Sequence, residues 1–241
     1  MHRAPQDEPS RQPRFAPGVR RRGVGALPFR IAHLSDLHLT ARGDGARHEP
    51  GWGRLRGMNE ALRWVLRSEP VQRADLLLVT GDVTDTGAES AWKLFAAMLR
   101  GAGLEHRTLA IPGNHDMVSL SLRIGNPASL ARRDRARTRA GLEAAGQPSR
   151  FPWARQVDPR VVIFGLDTNN AGNLTPLTNA KARVGADQLA ALASLLERHH
   201  EVPVKIVALH HSPNIPARAT QLRREEAPTD LLNRWAHQFP K

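Results

Sequence analysis

Five short apolar runs constrain this fold more than any other feature of the sequence. A continuous apolar run of this length, bounded by polar residues, predicts a strand that is buried on both faces. The runs cover residues 29–34, 76–80, 108–111, 161–166 and 204–209.

Helical patterns lie between the predicted strands. Apolar side chains recur every three or four residues in three of the intervening segments, so we predict helices over residues 54–67, 89–100 and 187–199. A further arginine-rich helix is predicted within residues 128–150, where few apolar positions indicate that it lies on the surface or over a site. Strands that alternate with helices predict an α/β fold, in which helices cover the faces of a sheet.

The first 27 residues differ in composition from the rest of the chain. Residues 1–27 hold Pro, Gln, Gly and Arg with almost no apolar periodicity, and we expect a disordered basic arm there. Residues 28–241 are enough for one α/β domain with a substantial core. No apolar run approaches the ~18 residues of a membrane span, and no secretory signal is present, so the expected location is cytoplasmic.

The net charge and the lack of cysteine limit the partners and the kinds of site that this chain can have. The net charge is +12, which favours phosphate-bearing ligands, although a GC-rich genome would produce the same excess of arginine. Nucleic acid is the less favoured partner, because no aromatic stacking motif accompanies the basic residues. The chain has no cysteine, which excludes disulfides, zinc ribbons, iron–sulfur clusters and thiol catalysis.

Side chains that can bind metals follow four of the predicted strands. In an open α/β sheet, ligands bind beyond the carboxyl ends of the strands, so these side chains should meet at one edge. Nitrogen and oxygen ligands without sulfur suit Mn, Fe, Zn or Co. In the segment Asp36-Leu37-His38, an extended strand would direct both polar side chains to the same face. The residues concerned are Asp36, His38, Asp82, Asn114, His115 and His210.

Each of these motifs has a simpler explanation when it is taken alone. Gly81-Asp82 is typical of a turn, Asn114 after a glycine could be a turn residue, and His210 could be a satisfied core histidine. Turn chemistry would rarely place four such motifs in order, each at the end of a predicted strand. The combination therefore favours a metal site.

Neighbouring polar residues receive structural interpretations. We expect His33 to be structural, and His211 to pack or line a pocket, with an exchange of roles between His210 and His211 left open. Asp167 follows the fourth predicted strand, where it would support the site without binding a metal. Asp85 is expected to be a solvated or capping residue.

Four segments resemble the first four sequence blocks of the calcineurin-like metallophosphoesterase superfamily. They are LSDLHL, TGDVTDTG, IPGNHD and ALHHSP, and the similarity covers roughly residues 28–215. The resemblance implies a sandwich of two β-sheets flanked by helices. It also implies two metal ions ~3.5–4 Å apart and a bridging hydroxide that attacks a phosphate ester.

The resemblance implies a role for each matching residue at the metals. Asp36 and His38 would bind the first metal, and Asp82 would bridge both. Asn114 and His210 would bind the second metal. A bridging carboxylate at Asp82 would offset the repulsion between the two cations.

Two further residues would act on the substrate. His115 would contact the phosphate, as a general acid or as a stabiliser of the transition state. Asp116 would orient His115.

The fifth block of the family, Gly-His-x-His, has no match in this sequence. In family members its two histidines complete the two metal sites. The last residues are LLNRWAHQFPK, where His237 is the one histidine, so we expect a C-terminally incomplete domain that lacks strands and by itself hydrolyses substrate poorly or not at all.

The sequence predicts a metal-dependent phosphodiesterase for a small diester. Cyclic nucleotides and glycerophosphodiesters are the expected substrates, because compact members of the family with a similar pattern use them. Two alternatives remain open: a binding or scaffold protein with an inactive site on the same fold, and a nucleic-acid processing enzyme.

Overall fold

Two three-stranded β-sheets form the centre of the fold. The structure is a computed structural model that describes residues 28–41, 47–49, 53–117, 127–169 and 184–212. The strands, in chain order, are β1 (Ile31–Leu34), β2 (Arg47–Glu49), β3 (Gly53–Leu55), β4 (Leu76–Thr80), β5 (Thr108–Ile111), β6 (Trp153–Asp158), β7 (Val161–Gly165) and β8 (Val204–Ala208). The α-helices are α1 (Met58–Arg67), α2 (Glu69–Gln72), α3 (Glu89–Gly101), α4 (Asn114–Met117), α5 (Pro127–Ala144) and α6 (Ala186–Arg198).

The two sheets differ in the direction of their strands. The first sheet has the order β1-β4-β5 and is entirely parallel. The second has the order β6-β7-β8, in which β6 is antiparallel and β8 is parallel to β7. Strands β2 and β3 form a separate antiparallel hairpin.

Strand β4 is buried on both faces, which explains its continuous apolar sequence. Leu76 and Leu78 belong to a core cluster that also contains Ile163 of β7, so this face packs against the second sheet. Leu77 and Val79 belong to another cluster, which contains Phe95 of α3. Side chains alternate along a strand, so neighbouring leucines reach opposite faces. Burial of each such side chain contributes about 1.5–3 kcal/mol.

The second sheet is covered on its outer face by α6. Val162 and Phe164 pack in one cluster with Leu192 and Leu196 of that helix. The order of layers is therefore helix, sheet, sheet, helix. This arrangement confirms the predicted α/β fold with a two-sheet sandwich flanked by helices.

Two predicted helices differ from the structure, and one strand of the two three-stranded sheets was not predicted. The helix predicted over 54–67 begins at Met58, because Gly53–Leu55 pairs as a strand. Strand β6 was not predicted, because its apolar residues alternate with polar ones and form no continuous apolar run. The arginine-rich helix ends at Ala144, and it is not confined to the surface, since its Leu142 is buried in the core.

Several predictions concern residues beyond those that the structure describes. The basic arm, residues 1–27, and the segment affected by the missing fifth block, residues 213–241, both lie outside the described residues. Within the described part of the chain, no helix has both the length and the apolar character needed to cross a bilayer.

Candidate metal centre

The chain segments that follow β1, β4, β5 and β8 bring the predicted residues into one cluster. Asp82 lies at its centre, with Oδ2 3.7 Å from His38 Nε2 and 3.5 Å from His210 Nε2. Asp36 Oδ1 lies 3.8 Å from His38 Nε2. The Oδ1 atom of Asn114 lies 3.1 Å from His210 Nε2. Parallel strands thus deliver these side chains to a common edge, as expected.

Two overlapping triads in this cluster could each hold a metal ion. One consists of His38, Asp82 and His115, and the other of Asp36, Asp82 and His210. Within each triad the potential ligand atoms lie within 4.8 Å of one another. Carboxylate oxygens and imidazole nitrogens without thiolates suit Mn, Fe, Zn or Co, so the residues fit the metals that the resemblance implies.

The turns that carry these ligands are held in an uncommon backbone conformation. Asp36, His38 and Asp82 have φ angles of 57°, 46° and 49°, in the left-handed region that costs non-glycine residues about 1–3 kcal/mol each. The expectation of an extended Asp36-Leu37-His38 segment was therefore wrong, because β1 ends at Leu34. A turn, and not the alternation of a strand, brings the two side chains together.

Backbone hydrogen bonds hold the two turns against each other. The Asp36 amide donates to the Gly81 carbonyl at 3.1 Å, and the His38 amide donates to the Asp82 carbonyl at 2.8 Å. Close packing explains why positions 81 and 113, next to these turns, are glycines. A Cβ atom at Gly81 would lie 2.5 Å from His210 Nδ1, and one at Gly113 would overlap the Asp82 carboxylate. Each glycine thus makes room for a side chain of the cluster that comes from another strand.

The charges in the cluster stabilise one another. The hydrogen bond from His38 holds the pKa of Asp36 far below its usual range, against the effect of burial. Burial would raise the pKa of Asp82, but the hydrogen bond and charge of His210 outweigh it and lower that pKa. Burial would lower the pKa of His210, but interactions with Asp82 raise it to about 9. The carboxylates are therefore ionised, and a cation would displace a proton from His210.

His115 is fixed by both its backbone and its ring. Its amide donates to Asp82 Oδ1 at 2.8 Å. Its Nδ1 lies 3.1 Å from the Asp85 carbonyl, which can only accept, so Nδ1 carries the proton and Nε2 has a free lone pair. The His115 ring meets the His38 ring edge to face, with centroids 4.6 Å apart.

Asp85 was expected to be solvated or capping, and that expectation was wrong. Its Oδ1 lies 3.5 Å from His38 Nδ1 and 3.7 Å from His115 Nδ1. The segment Asp85-Thr86-Gly87 resembles an ordinary turn, so local sequence gave no signal of this position. His115 lies near Asp85 because β5, which precedes His115, pairs with β4, which precedes Asp85.

Asp116 does not orient His115 as the resemblance implied. Its Oδ1 accepts hydrogen bonds from the amide and hydroxyl of Thr84, both at 2.8 Å. Its Oδ2 accepts from the amides of Val83 and Gly113, at 3.1 and 2.9 Å. The carboxylate is fully buried and ties the turn after β4 to the turn after β5. Burial and the charge of Asp82 raise the pKa of Asp116 to about 6.

The second sheet supports the cluster from one side. His211 is buried, with Nδ1 2.6 Å from the hydroxyl of Thr168, and His210 is the histidine that reaches Asp82. Asn169 donates from Nδ2 to the Gly113 carbonyl at 3.3 Å and to Asp167 Oδ1 at 2.9 Å. Burial raises the pKa of Asp167, which lies outside both triads.

His33 lies on β1 and contacts the side chain of Thr80 at the end of the neighbouring strand β4. Its Nε2 is 2.7 Å from the Thr80 hydroxyl, while its ring is exposed on the edge strand β1. The predicted structural role is consistent with this contact. The predicted burial of the strand is not, because among the described strands β1 pairs only with β4.

Comparison with known proteins gives relatives with a stated activity. The chain is 34% identical over 96 residues to a probable cyclic nucleotide phosphodiesterase of Coxiella burnetii, which is 40% of this chain and 35% of that protein. It is 32% identical over 111 residues to a 3′,5′-cyclic-nucleotide phosphodiesterase of a Nostoc species, which is 44% of this chain and 38% of the relative. The chain thus spans little more than a third of these curated relatives.

A family model covers much more of the chain than these pairwise matches do. The model of the calcineurin-like phosphoesterase family matches residues 29–236, which include every strand and helix of the two sheets and all members of the metal cluster. On that match, this chain belongs to the calcineurin-like phosphoesterase family.

Proposed function

We propose that this chain is a metal-dependent phosphodiesterase that uses two metal ions to hydrolyse a small phosphodiester. The position of Asp82 in both triads carries the proposal, because one shared carboxylate between two donor sets is what a pair of closely spaced cations requires. The names of the relatives support cyclic nucleotides as the substrate class. A small phosphodiester also matches the net charge of +12, which attracts anions.

Five residues would hold the two ions. Asp82 would be shared, while Asp36, His38, Asn114 and His210 would supply the remaining oxygen and nitrogen ligands. When bound, the ions would supply Lewis acidity toward the phosphate oxygens and toward the attacking water. Asn114 binds through a neutral amide oxygen, which limits the negative charge beside an anionic substrate.

His115 would act on the substrate through Nε2. With Nδ1 donating to the Asp85 carbonyl, Nε2 is the ring atom that can give or take a proton at a substrate oxygen. Asp116 would act indirectly, since it holds together the two turns that carry Asp82 and His115.

A chelation experiment tests this proposal. The purified chain would be analysed for bound metals and assayed on cyclic AMP and on bis(p-nitrophenyl) phosphate. We expect about two metals per chain, loss of hydrolysis on chelation, and recovery on addition of Mn²⁺. Hydrolysis that survives complete removal of metal would contradict the proposal. Stoichiometric metal without turnover would instead support the alternative, a binding protein on the same fold.

A further inference from the structure

A cavity lies at the end of β5 that is remote from the candidate metal centre. Thr108 and Leu109, at the start of β5, line the cavity, whereas Asn114 follows the other end of that strand. Its volume of about 350 Å³ is in the range of small-molecule pockets. The cavity lies where the edge strands β5 and β6 meet the C-terminal ends of α3 and α5.

Arg155 of β6 brings a poorly compensated charge into this cavity. The side chain is half-buried, and among the described residues its guanidinium makes one hydrogen bond, from Nη1 to the neighbouring Ala154 carbonyl at 3.3 Å. No carboxylate pairs with it within the part of the chain that the structure describes. Burial lowers the pKa of the guanidinium, with no opposing charge to raise it. Charges removed from water are normally paired, so an anionic partner is expected.

The other charged residues of the cavity leave Arg155 without a counterion. Arg100, at the C-terminal end of α3, is exposed and has no ion-pair partner among the described residues. Glu143 accepts a hydrogen bond from Arg139 Nε at 3.0 Å. Glu105 Oε1 lies 3.1 Å from Nε2 of its neighbour His106. Both carboxylates that line the cavity therefore have partners of their own.

We propose that this cavity is a second binding site, for a small organic molecule with an oxyanion group, either phosphate or carboxylate. The oxyanion would pair with the guanidinium groups of Arg155 and Arg100, since the planar fork of arginine matches both kinds of oxyanion. The organic body of the ligand would pack against Ala144 and Pro148, which line the cavity and keep exposed surface. This inference is independent of the metal centre and of the proposed function.

Titration with two matched probes tests the site. Phenyl phosphate and benzoate share a ring and differ in the oxyanion, and ¹H–¹⁵N spectra of the protein would be followed for each. Amide signals of Thr108, Leu109 and Gly146 report on the cavity, while those of Gly81 and Gly113 report on the metal centre. We expect saturable shifts at the cavity signals, and the tighter of the two probes identifies the oxyanion.

Substitutions assign the binding to the proposed arginine. Arg155→Gln should weaken the tighter probe by at least about tenfold, the scale of one lost charge-assisted hydrogen bond. Arg160→Gln is the matched control, because Arg160 belongs to the same hairpin but pairs with Asp158 at 3.1 Å, and it should leave the affinity unchanged.

Three outcomes would overturn the proposal. They are equal affinities of the two variants, shifts confined to Gly81 and Gly113, and no saturable shift with either probe at millimolar concentration. If Arg155→Gln does not fold, Arg100→Gln and Arg155→Lys take its place. Both should also weaken the tighter probe, because the first removes a charge and the second removes the planar fork, and unchanged affinity in both would count equally against the site.

Discussion

The two sheets contribute unequally to the candidate metal centre. Three segments come from the first sheet, after β1, β4 and β5, whereas the second sheet sends only His210 into the triads. Strand direction explains why β6 contributes no residue. All strands of the first sheet are parallel and end at the same edge, while β6 of the second sheet runs in the opposite direction.

The two sheets also differ in how their turns are held. Asp36, His38 and Asp82, which are the non-glycine residues with positive φ among the described ones, all follow strands of the first sheet. The buried carboxylate of Asp116 ties the turn after β4 to the turn after β5. The segment after β7 instead makes supporting contacts, such as the bond from Asn169 to the Gly113 carbonyl. The positions of the residues in the triads therefore depend mainly on the first sheet, and this dependence can be tested.

The largest contrast is expected between Asp82 and Asp167, which lie just beyond the ends of β4 and β7. Asp82→Asn should weaken metal binding by more than about a hundredfold and abolish hydrolysis, because even residues that only support a metal ligand are worth 10–100-fold. Asp167→Asn should retain metal, since Asp167 lies outside both triads. Metal content and affinity of the two variants, measured by mass spectrometry and calorimetry, check this. Equal losses would show that Asp167 also binds metal.

Turnover should separate His115 from His211. His115→Asn should lower the turnover number by roughly 10²–10⁴-fold, the usual effect of a positioned acid–base group, while metal remains bound. His211→Asn should change turnover much less, because His211 contacts Thr168 and lies outside both triads. Steady-state kinetics with metal analysis measure both effects. Loss of metal from His115→Asn would instead make His115 a ligand, as its triad with His38 and Asp82 allows.

Stability should depend more on Asp116 than on Asp158 of the second sheet. An amide at position 116 would present an NH₂ group to amide or hydroxyl donors, and we expect Asp116→Asn to lower the free energy of unfolding by about 2–4 kcal/mol. Asp158→Asn should cost at most about 1 kcal/mol, because Asp158 pairs with the exposed Arg160. Urea unfolding of both variants, in the presence of chelator, would measure the difference. Similar costs would mean that the buried carboxylate does not organise the turns.

The smallest effect concerns the titration of His210, the one second-sheet residue in the triads. With chelator present, its pKa should lie near 9, and Asp82→Asn should lower it, because Asp82 raises this pKa by hydrogen bond and charge. The raised pKa means that the stabilisation from protonated His210 is complete below pH about 6.5 and is lost as pH rises through about 9. Imidazole signals in NMR spectra would follow the titration. A pKa that is the same in both proteins would rule out this coupling between the sheets.

Buried strands and long helices were predictable, whereas elements with mixed patterns were not. Strand β4 and strand β5 were predicted with their observed ends, because both are apolar at every or nearly every position and buried on both faces. Strand β6 contains Arg155 and Gln156, so its sequence has no continuous apolar run. It forms a strand because it pairs with β7, which follows it in the chain. Local sequence could not supply that information.

The amino-acid sequence by itself determined the alternation of strands and helices, the two-sheet class, the family and the side chains gathered at one edge. These features follow from apolar periodicity and from motifs that are contiguous in the chain. Tertiary structure alone decided which partner each side chain meets. It placed Asp85 beside His115, turned Asp116 toward the backbone of Thr84, and left Arg155 in a cavity with no counterion among the residues that the structure describes. These contacts join residues distant in sequence or depend on turns with positive φ, and no local pattern encodes such distances.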